Sequence, residues 1–190
     1  WVEGTDPELK NEFVVLTAHY DHVGTGNSND PESDDTIFNG ARDNGLGTVS
    51  VLAAAKAFTE APPKRSVLLI ALTGEEIGLL GARYYTEHPV VPLENTIFNL
   101  NSDNAGYNDT GLISIIGFGR TGTDQQVKNG VEAVGLKVFP DPAPEQGLFD
   151  RSDNVQFASK GVPCLTFSGG FKDFDDEIAS TLCFMWFMKF

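Results

Sequence analysis

The sequence has little positive charge, few cysteines and no long apolar run. Thirteen Lys and Arg stand against 27 Asp and Glu, for a formal net charge of -14. Nucleic-acid binding requires clustered Lys and Arg, and here they are scattered, so the composition argues against a nucleic-acid partner. The longest apolar stretches, such as Val67 to Leu72, are too short to span a bilayer. The simplest explanation of most of the acidity is a solvated surface that keeps the protein soluble.

The two cysteines and the length limit the fold further. Cys164 and Cys183 fit no zinc-ribbon or redox spacing. We interpret them as buried thiols, and a disulfide between them is the alternative. The 190 residues, 41% of them hydrophobic, predict one domain over residues 1–190 with a single substantial core. Because the chain begins at Trp1 rather than Met, and no signal-type segment opens it, we expect a processed or excised piece of a longer protein.

Buried strands alternate with amphipathic helices along the chain. Strands are predicted over Phe13–Ala18, Arg65–Leu72, Thr96–Leu100, Leu112–Ile116, Lys137–Phe139 and Val162–Phe167. Helices are predicted over Asn44–Ala61, Ile77–His88, Asp124–Val134, Asp153–Lys160 and Asp175 to the end. This alternation predicts an α/β fold, a mostly parallel mixed β-sheet with helices on both faces. Such sheets bind ligands at the carboxyl ends of their strands.

Polar side chains follow the predicted strands at that edge of the sheet. They are His19, Asp21 and His22 after the first strand, Asp43 before the first helix, Glu75 and Glu76 after the second strand, and Asp103 after the third. Carboxylates gathered together repel one another unless a cation neutralises them. One imidazole among carboxylates suits zinc, with manganese or cobalt as less favoured occupants. We therefore predict a metal site that these residues share.

Two zinc ions about 3.5 to 4 Å apart can share one carboxylate and activate water. Asp43 is the candidate bridge, with His19 and Asp103 completing one ion and Glu76 binding the other. Glu75 would remain uncoordinated as general base and later proton donor to the leaving amine. A further position, Asp21, is placed to accept the second imidazole proton of His19 and hold the ring.

Each of these residues also has a simpler interpretation. A histidine at a strand end is usually a surface or capping residue, and we interpret His22 and His88 as structural or surface residues. Glu75 and Glu76 could form the first turn of a helix and complement its dipole. Asp43 and Asp103 could be cap or turn residues. The joint pattern, with every group at one edge of one sheet, favours the metal site.

Five segments resemble the co-catalytic di-zinc aminopeptidase family, which includes bacterial leucyl aminopeptidase and glutamate carboxypeptidase. The segments are AHYDH (18–22), NGARDNGLG (39–47), TGEEIGLLGA (73–82), NLNSDNAG (99–106) and RSDNVQFASKGVP (151–163). The resemblance implies a zinc-exopeptidase (phosphorylase/hydrolase-like) architecture and a zinc-dependent aminopeptidase acting on peptides with a free N-terminus. It also implies two zinc ions held as assigned above, and a secreted, cell-envelope or periplasmic location.

One feature departs from the family pattern. Family members carry a further His shortly after the strand equivalent to Val162–Phe167, whereas Phe171 to Glu177 contains none. Either the loop has lost this ligand and the second ion is weakly held, or part of the loop is missing near 171–177. The short stretch between Gly170 and Asp175 favours missing residues.

Two other functions stay open. A single-zinc glutaminyl-cyclase type of the same fold would use Glu75 for intramolecular acyl transfer, but resembles the chain less at residues 39–47. A receptor-like binding domain of the same fold would have lost turnover, and the missing His is its only support. The side-chain preference for substrate and the oligomeric state are not predicted.

Overall fold

A six-stranded sheet lies at the centre of the computed structural model, which describes residues 1–26, 34–103, 109–141 and 143–169. The strands are β1 (Phe13–His19), β2 (Gly24–Thr25), β3 (Ile37–Phe38), β4 (Ser66–Leu72), β5 (Thr96–Ser102), β6 (Leu112–Ile116), β7 (Lys137–Pro140) and β8 (Cys164–Gly169). The sheet order is β4-β1-β5-β8-β6-β7, and β2 and β3 form a separate antiparallel pair. Only the β6–β8 pairing within the described sheet is antiparallel. The mostly parallel mixed sheet is confirmed.

Strand β1 is the inner strand that positions the site. Its sequence FVVLTAH is buried from Val15 onward, as expected for a parallel strand covered on both faces. It pairs in parallel with β4 on one side and β5 on the other, and His19 lies opposite Leu72. The carboxyl ends of these three adjacent strands therefore meet at one edge.

Helices cover both faces of this sheet. They are α1 (Gly47–Glu60), α2 (Leu80–Glu87), α3 (Asp124–Ala133) and α4 (Asn154–Ala158). On one face, Val15 and Leu68 pack with Tyr85 of α2 and Phe157 of α4. On the other face, a smaller cluster joins Leu16, Ala18 and Val67 to Val51 of α1. Among the described helices, none combines the length and the apolar character that crossing a membrane requires.

Apolar residues of α1 lie on both its inner and its outer face. Val49 and Leu52 are on the outer face, where they are 60% and 63% exposed. The residues that face the core are Val51, Ala54 and Phe58. Both stripes of this helix are apolar, so its periodicity could not distinguish the inner face from the outer one.

Most predicted elements agree with the structure to within a few residues. The largest differences are the starts of α1 and α2, which begin at Gly47 and Leu80 instead of Asn44 and Ile77. The β2–β3 pair was not predicted, since its strands have two residues each. The predicted helix from Asp175 and Cys183 lie outside the described residues. Cys164 is buried and forms no disulfide within the described part of the chain, and burial raises the pKa of its thiol to about 11.

Candidate metal centre

His19 ends β1 with its ring buried and held in one orientation. Its Nδ1 lies 3.1 Å from the backbone carbonyl oxygen of Asp21. Because a carbonyl oxygen can only accept, Nδ1 donates this hydrogen bond. The Nε2 atom therefore faces the carboxylates, 3.3 Å from Asp43 Oδ1, 3.6 Å from Asp103 Oδ1 and 4.0 Å from Glu75 Oε2. This buried nitrogen has no hydrogen-bond partner among the described residues.

The charge around His19 reverses the usual effect of burial. Burial lowers the pKa of the imidazole, but the carboxylates of Asp103 and Asp43 outweigh it and raise the pKa to about 11. Without a metal ion, the ring thus carries a proton at neutral pH. A positive charge is favoured at Nε2, and a divalent cation can replace the proton there.

Asp43 is positioned by its neighbour Asn44 in the segment before α1. The buried Asn44 side chain donates from Nδ2 to the Ser102 carbonyl oxygen at 2.8 Å and accepts at Oδ1 from the Gly47 amide at 3.1 Å. Asn44 therefore connects the start of α1 to the end of β5, directly before Asp103. The close approach requires glycine at position 47, because a Cβ there would meet both Asn44 Oδ1 and the Ser102 oxygen.

Glu75 and Glu76 lie in a turn between β4 and α2, and not in the first turn of the helix. The turn begins at Gly74, whose φ of 72° favours glycine, and the amides of Gly78 and Leu79 donate to the Glu75 carbonyl oxygen. The side chains of Glu75 and Glu76 are both buried, and α2 begins only at Leu80 with no acidic residue in its first turn, so the dipole-complementing interpretation of this pair is wrong.

The Asp21 side chain contacts this turn more directly than it contacts the His19 ring. Its carboxylate accepts from the amides of Glu75 and Glu76, both at 3.4 Å. The distance from Asp21 Oδ1 to His19 Nδ1 is 3.7 Å, too long for a hydrogen bond. The expectation that this carboxylate accepts the imidazole proton is thus corrected, because the Asp21 backbone carbonyl does so instead.

The structure brings all four predicted ligands together in two groups that share Asp43. His19, Asp43 and Asp103 form one group, and His22, Asp43 and Glu76 form the other, with one donor atom per residue and all atoms in a group within 4.8 Å of one another. One imidazole with two carboxylates is a donor set that zinc accepts. The buried His19 Nε2 and this donor chemistry fit a zinc ion in the first group.

Two of the three histidines were interpreted as structural or surface residues, and the structure places them in different environments. His88 follows α2, is exposed, and stacks on Tyr84 with ring centroids 4.5 Å apart. His22 instead lies within the site, with its Nδ1 2.7 Å from Glu76 Oε1. The sequence signal for His22 was its position three residues after His19 on the same loop.

A buried polar network lies beneath the site and was not predicted. Asn101 of β5 accepts from Thr17 of β1 at 2.8 Å and donates to Ser152 at 2.8 Å. Asn154 of α4 accepts from Thr166 of β8 at 2.9 Å and donates to the Phe149 carbonyl oxygen at 2.9 Å. Satisfied buried networks make a structure rigid, so this one holds the strand ends in register.

Comparison of the sequence with known proteins finds a family and more distant relatives. The family model described as Peptidase family M28 matches residues 2–181. The vacuolar membrane protease of Phaeosphaeria nodorum (strain SN15) is 38% identical over 100 residues, which are 52% of this chain and 9% of that protein. The chain therefore spans about a tenth of the length of this curated relative.

Comparison with solved structures finds the same fold in proteins of different activity. BSAP, a zinc aminopeptidase from Bacillus subtilis, is 24% identical with a TM-score of 0.64, over 88% of this chain and 38% of that chain. Glutaminyl cyclase from Bacteroides thetaiotaomicron is 18% identical with a TM-score of 0.63, over 82% of this chain and 59% of that chain. At these identities the likeness is one of fold alone.

Proposed function

Because the chain belongs to peptidase family M28, we propose that it is a zinc-dependent aminopeptidase that hydrolyses the N-terminal peptide bond of peptides. The observation that carries the proposal is the buried His19 Nε2, which faces Asp43, Asp103 and Glu75 at 3.3 to 4.0 Å. Membership of the family supports peptide hydrolysis. The preference for the N-terminal bond is what this proposal adds.

His19, Asp43, Asp103 and Glu76 would hold the metal, and Asp43 belongs to both groups of candidate ligands. When bound, zinc polarises the carbonyl of the scissile bond and lowers the pKa of water beside it. The carboxylates of the site outnumber the one fully buried imidazole, so they supply the negative charge that offsets a divalent cation. The hydrogen bond from Asn44 to the Ser102 carbonyl oxygen holds the neighbouring Asp43 against the end of β5.

Glu75 is the general base. Its Oε2 lies 4.0 Å from His19 Nε2, so it borders the first metal group. Glu75 takes a proton from the attacking water and then gives it to the leaving amine, which must leave as a neutral group. The Asp21 carboxylate holds the backbone amides of Glu75 and Glu76, and this contact fixes the direction of the base.

The charge of the site supports the choice of substrate end, and the name of a relative supports the choice of compartment. The carboxylates of the site attract the protonated α-amine of a peptide, and this attraction selects a free N-terminus. The relative from Phaeosphaeria nodorum is named a vacuolar membrane protease. We accordingly propose a non-cytosolic compartment, of which a secreted or cell-envelope location is one form.

The test compares two substrates with and without a chelator. We expect hydrolysis of leucine p-nitroanilide that a chelator abolishes and added zinc restores, with at least about 100-fold less activity on N-acetyl-leucine p-nitroanilide. Equal rates on both substrates would contradict the aminopeptidase. Conversion of a glutaminyl substrate to pyroglutamate without hydrolysis would indicate the cyclase instead. A folded protein that neither hydrolyses these substrates nor responds to the chelator would be a binding domain.

A further inference from the structure

His22 is mostly buried and contacts Glu76, one of the predicted metal ligands. Its Nδ1 lies 2.7 Å from Glu76 Oε1, and its side chain is 22% exposed whereas that of Glu76 is 3% exposed. With Asp43, these two residues form a second group whose donor atoms all lie within 4.8 Å of one another. This group adjoins the buried His19 Nε2 through the shared carboxylate.

The loop that carries Asp43 holds His22 in this place. A Cβ at Gly40 would lie 2.8 Å from the Cβ of His22 and 3.0 Å from its Cγ. Gly40 also has a φ of 64°, which favours glycine. The backbone three residues before Asp43 therefore packs against His22, so that the His22 ring and the Asp43 carboxylate are positioned by the same segment.

The donor chemistry of the second group repeats that of the first. Each group has one imidazole and two carboxylates, which together bind zinc with bonds of about 2.0 to 2.2 Å. Two ligands of a tetrahedral ion are separated by about 3.3 Å with such bonds. The observed 2.7 Å between His22 Nδ1 and Glu76 Oε1 is a hydrogen bond, and a small opening of this pair admits an ion.

We propose that His22 is a direct ligand of the second metal ion, which it binds together with Asp43 and Glu76. The inference rests on the proposed function, because it adds an imidazole ligand for the second of the two zinc ions proposed above. The competing role for His22 is to orient Glu76 by a hydrogen bond without touching an ion.

The stoichiometry of metal binding distinguishes these roles. Metal-stripped protein is titrated with zinc by calorimetry, and the bound metal is counted by mass spectrometry after dialysis. We expect two zinc ions for the wild type and one for both His22→Ala and His22→Gln, with the affinity for the second ion reduced by more than the roughly 10- to 100-fold that loss of an orienting partner costs. His88→Ala is the matched control and should bind two ions, because the exposed His88 stacks on Tyr84 outside the site.

The glutamine variant separates a ligand from an orienting residue. Its side-chain amide can still donate to Glu76, but an amide is a poor zinc ligand. If His22→Gln binds two ions with wild-type affinity, His22 only orients Glu76 and the proposal is wrong. Nitrogen NMR of the imidazoles in the unmutated protein gives a second measurement, in which the second equivalent of zinc should shift a His22 ring nitrogen. An unchanged His22 signal at two bound ions would also overturn the proposal.

The experiments distinguish failure of this inference from failure of the proposed function. The wild type could bind one ion and hydrolyse leucine p-nitroanilide, and the His19→Ala variant could bind none. This result would show that His22 is not a ligand and would leave the proposed peptidase activity intact. A wild type that binds no zinc would overturn both.

Discussion

At the scale of single residues, the site depends on a buried imidazole that is surrounded by acidic groups. His19 is positioned by a backbone hydrogen bond to Asp21, and its other nitrogen faces carboxylates from three different segments. Polar groups without partners are costly in a protein interior, so the arrangement is stable only with a proton or a cation at Nε2. The predictions for single residues follow from this charge balance.

The Glu75→Gln variant should lose turnover without losing metal. The amide cannot accept the proton of the attacking water, and general base catalysis contributes about 100-fold or more. We expect kcat on leucine p-nitroanilide to fall by at least about 100-fold, with the zinc content unchanged. The exposed residue Glu87 on α2 offers a control, and Glu87→Gln should keep wild-type kcat. A Glu75→Gln kcat within a few-fold of wild type would refute the role of the base.

Zinc binding should release a proton from His19. The carboxylates of Asp103 and Asp43 raise the pKa of His19 to about 11 against the opposing effect of burial, so the ring is protonated at pH 7 when metal is absent. A ligand nitrogen must lose its proton, so the first-ion affinity should strengthen about tenfold per pH unit from pH 7 to pH 9.

Calorimetry in two buffers of different ionisation enthalpy measures this release. We expect about one proton per His19-bound ion, and a His19→Gln variant should lack it. If the affinity of the first ion is the same at pH 7 and pH 9, either His19 is not protonated in the metal-free protein or it does not bind zinc.

At the scale of secondary-structure elements, the connections between strands and helices determine where the carboxylates point. Asp43 and Glu75 both lie in turns that precede helices, and hydrogen bonds across the strand ends hold each turn. The start of α1 approaches β5 so closely that position 47 has no room for a side chain.

Replacement of Gly47 by alanine should therefore displace the Asp43 segment. The added methyl group would meet Asn44 Oδ1 and the Ser102 oxygen, and overpacking of this kind costs about 1 to 3 kcal/mol. We expect the free energy of unfolding in urea to fall by that amount and zinc affinity to weaken.

The control for this variant is another helical glycine with open space around it. Gly130 in α3 has no atom within 4 Å of an added Cβ. Gly130→Ala should raise the free energy of unfolding by about 0.5 to 1 kcal/mol through helix propensity, with zinc affinity unchanged. Equal effects of the two variants would show that the close contact at Gly47 is not important.

At the scale of the whole molecule, the family and the fold were predicted from sequence motifs and are both confirmed. The family model covers residues 2–181, and the solved structures share the mixed sheet. Peptide hydrolysis belongs to this family, whereas the fold also occurs in a glutaminyl cyclase. Activity therefore has to be argued from the site and not from the fold.

Removal of zinc should destabilise the entire domain. The proposed ligands come from β1, from the segment before α1, from the turn after β4 and from the end of β5, so a bound ion would connect elements on both faces of the sheet. Binding to the folded state alone stabilises by about 2.7 kcal/mol at a zinc concentration 100 times Kd.

The melting temperature in the presence of EDTA should therefore be several degrees lower than with zinc. Restoring zinc should reverse the shift in the wild type and produce a smaller shift in His19→Gln. If EDTA leaves Tm unchanged for protein that contained zinc, the ion does not bind between these elements.

The order of strands and helices and the positions of His19, Glu75 and Asp103 at strand ends could be predicted from the sequence alone. Apolar runs identify parallel strands, and polar residues directly after them must lie at the same edge of the sheet. These signals are local, because each is contained in a few consecutive residues.

The tertiary structure alone decided which atoms meet. The inclusion of His22 in a group with Asp43 and Glu76, the Asp21 carboxylate beneath the Glu75 turn, and the buried face of α1 all depend on contacts between distant segments. Sequence periodicity gives direction along one element but not the distance between two elements, so a surface histidine and a ligand have the same appearance until the chain is folded.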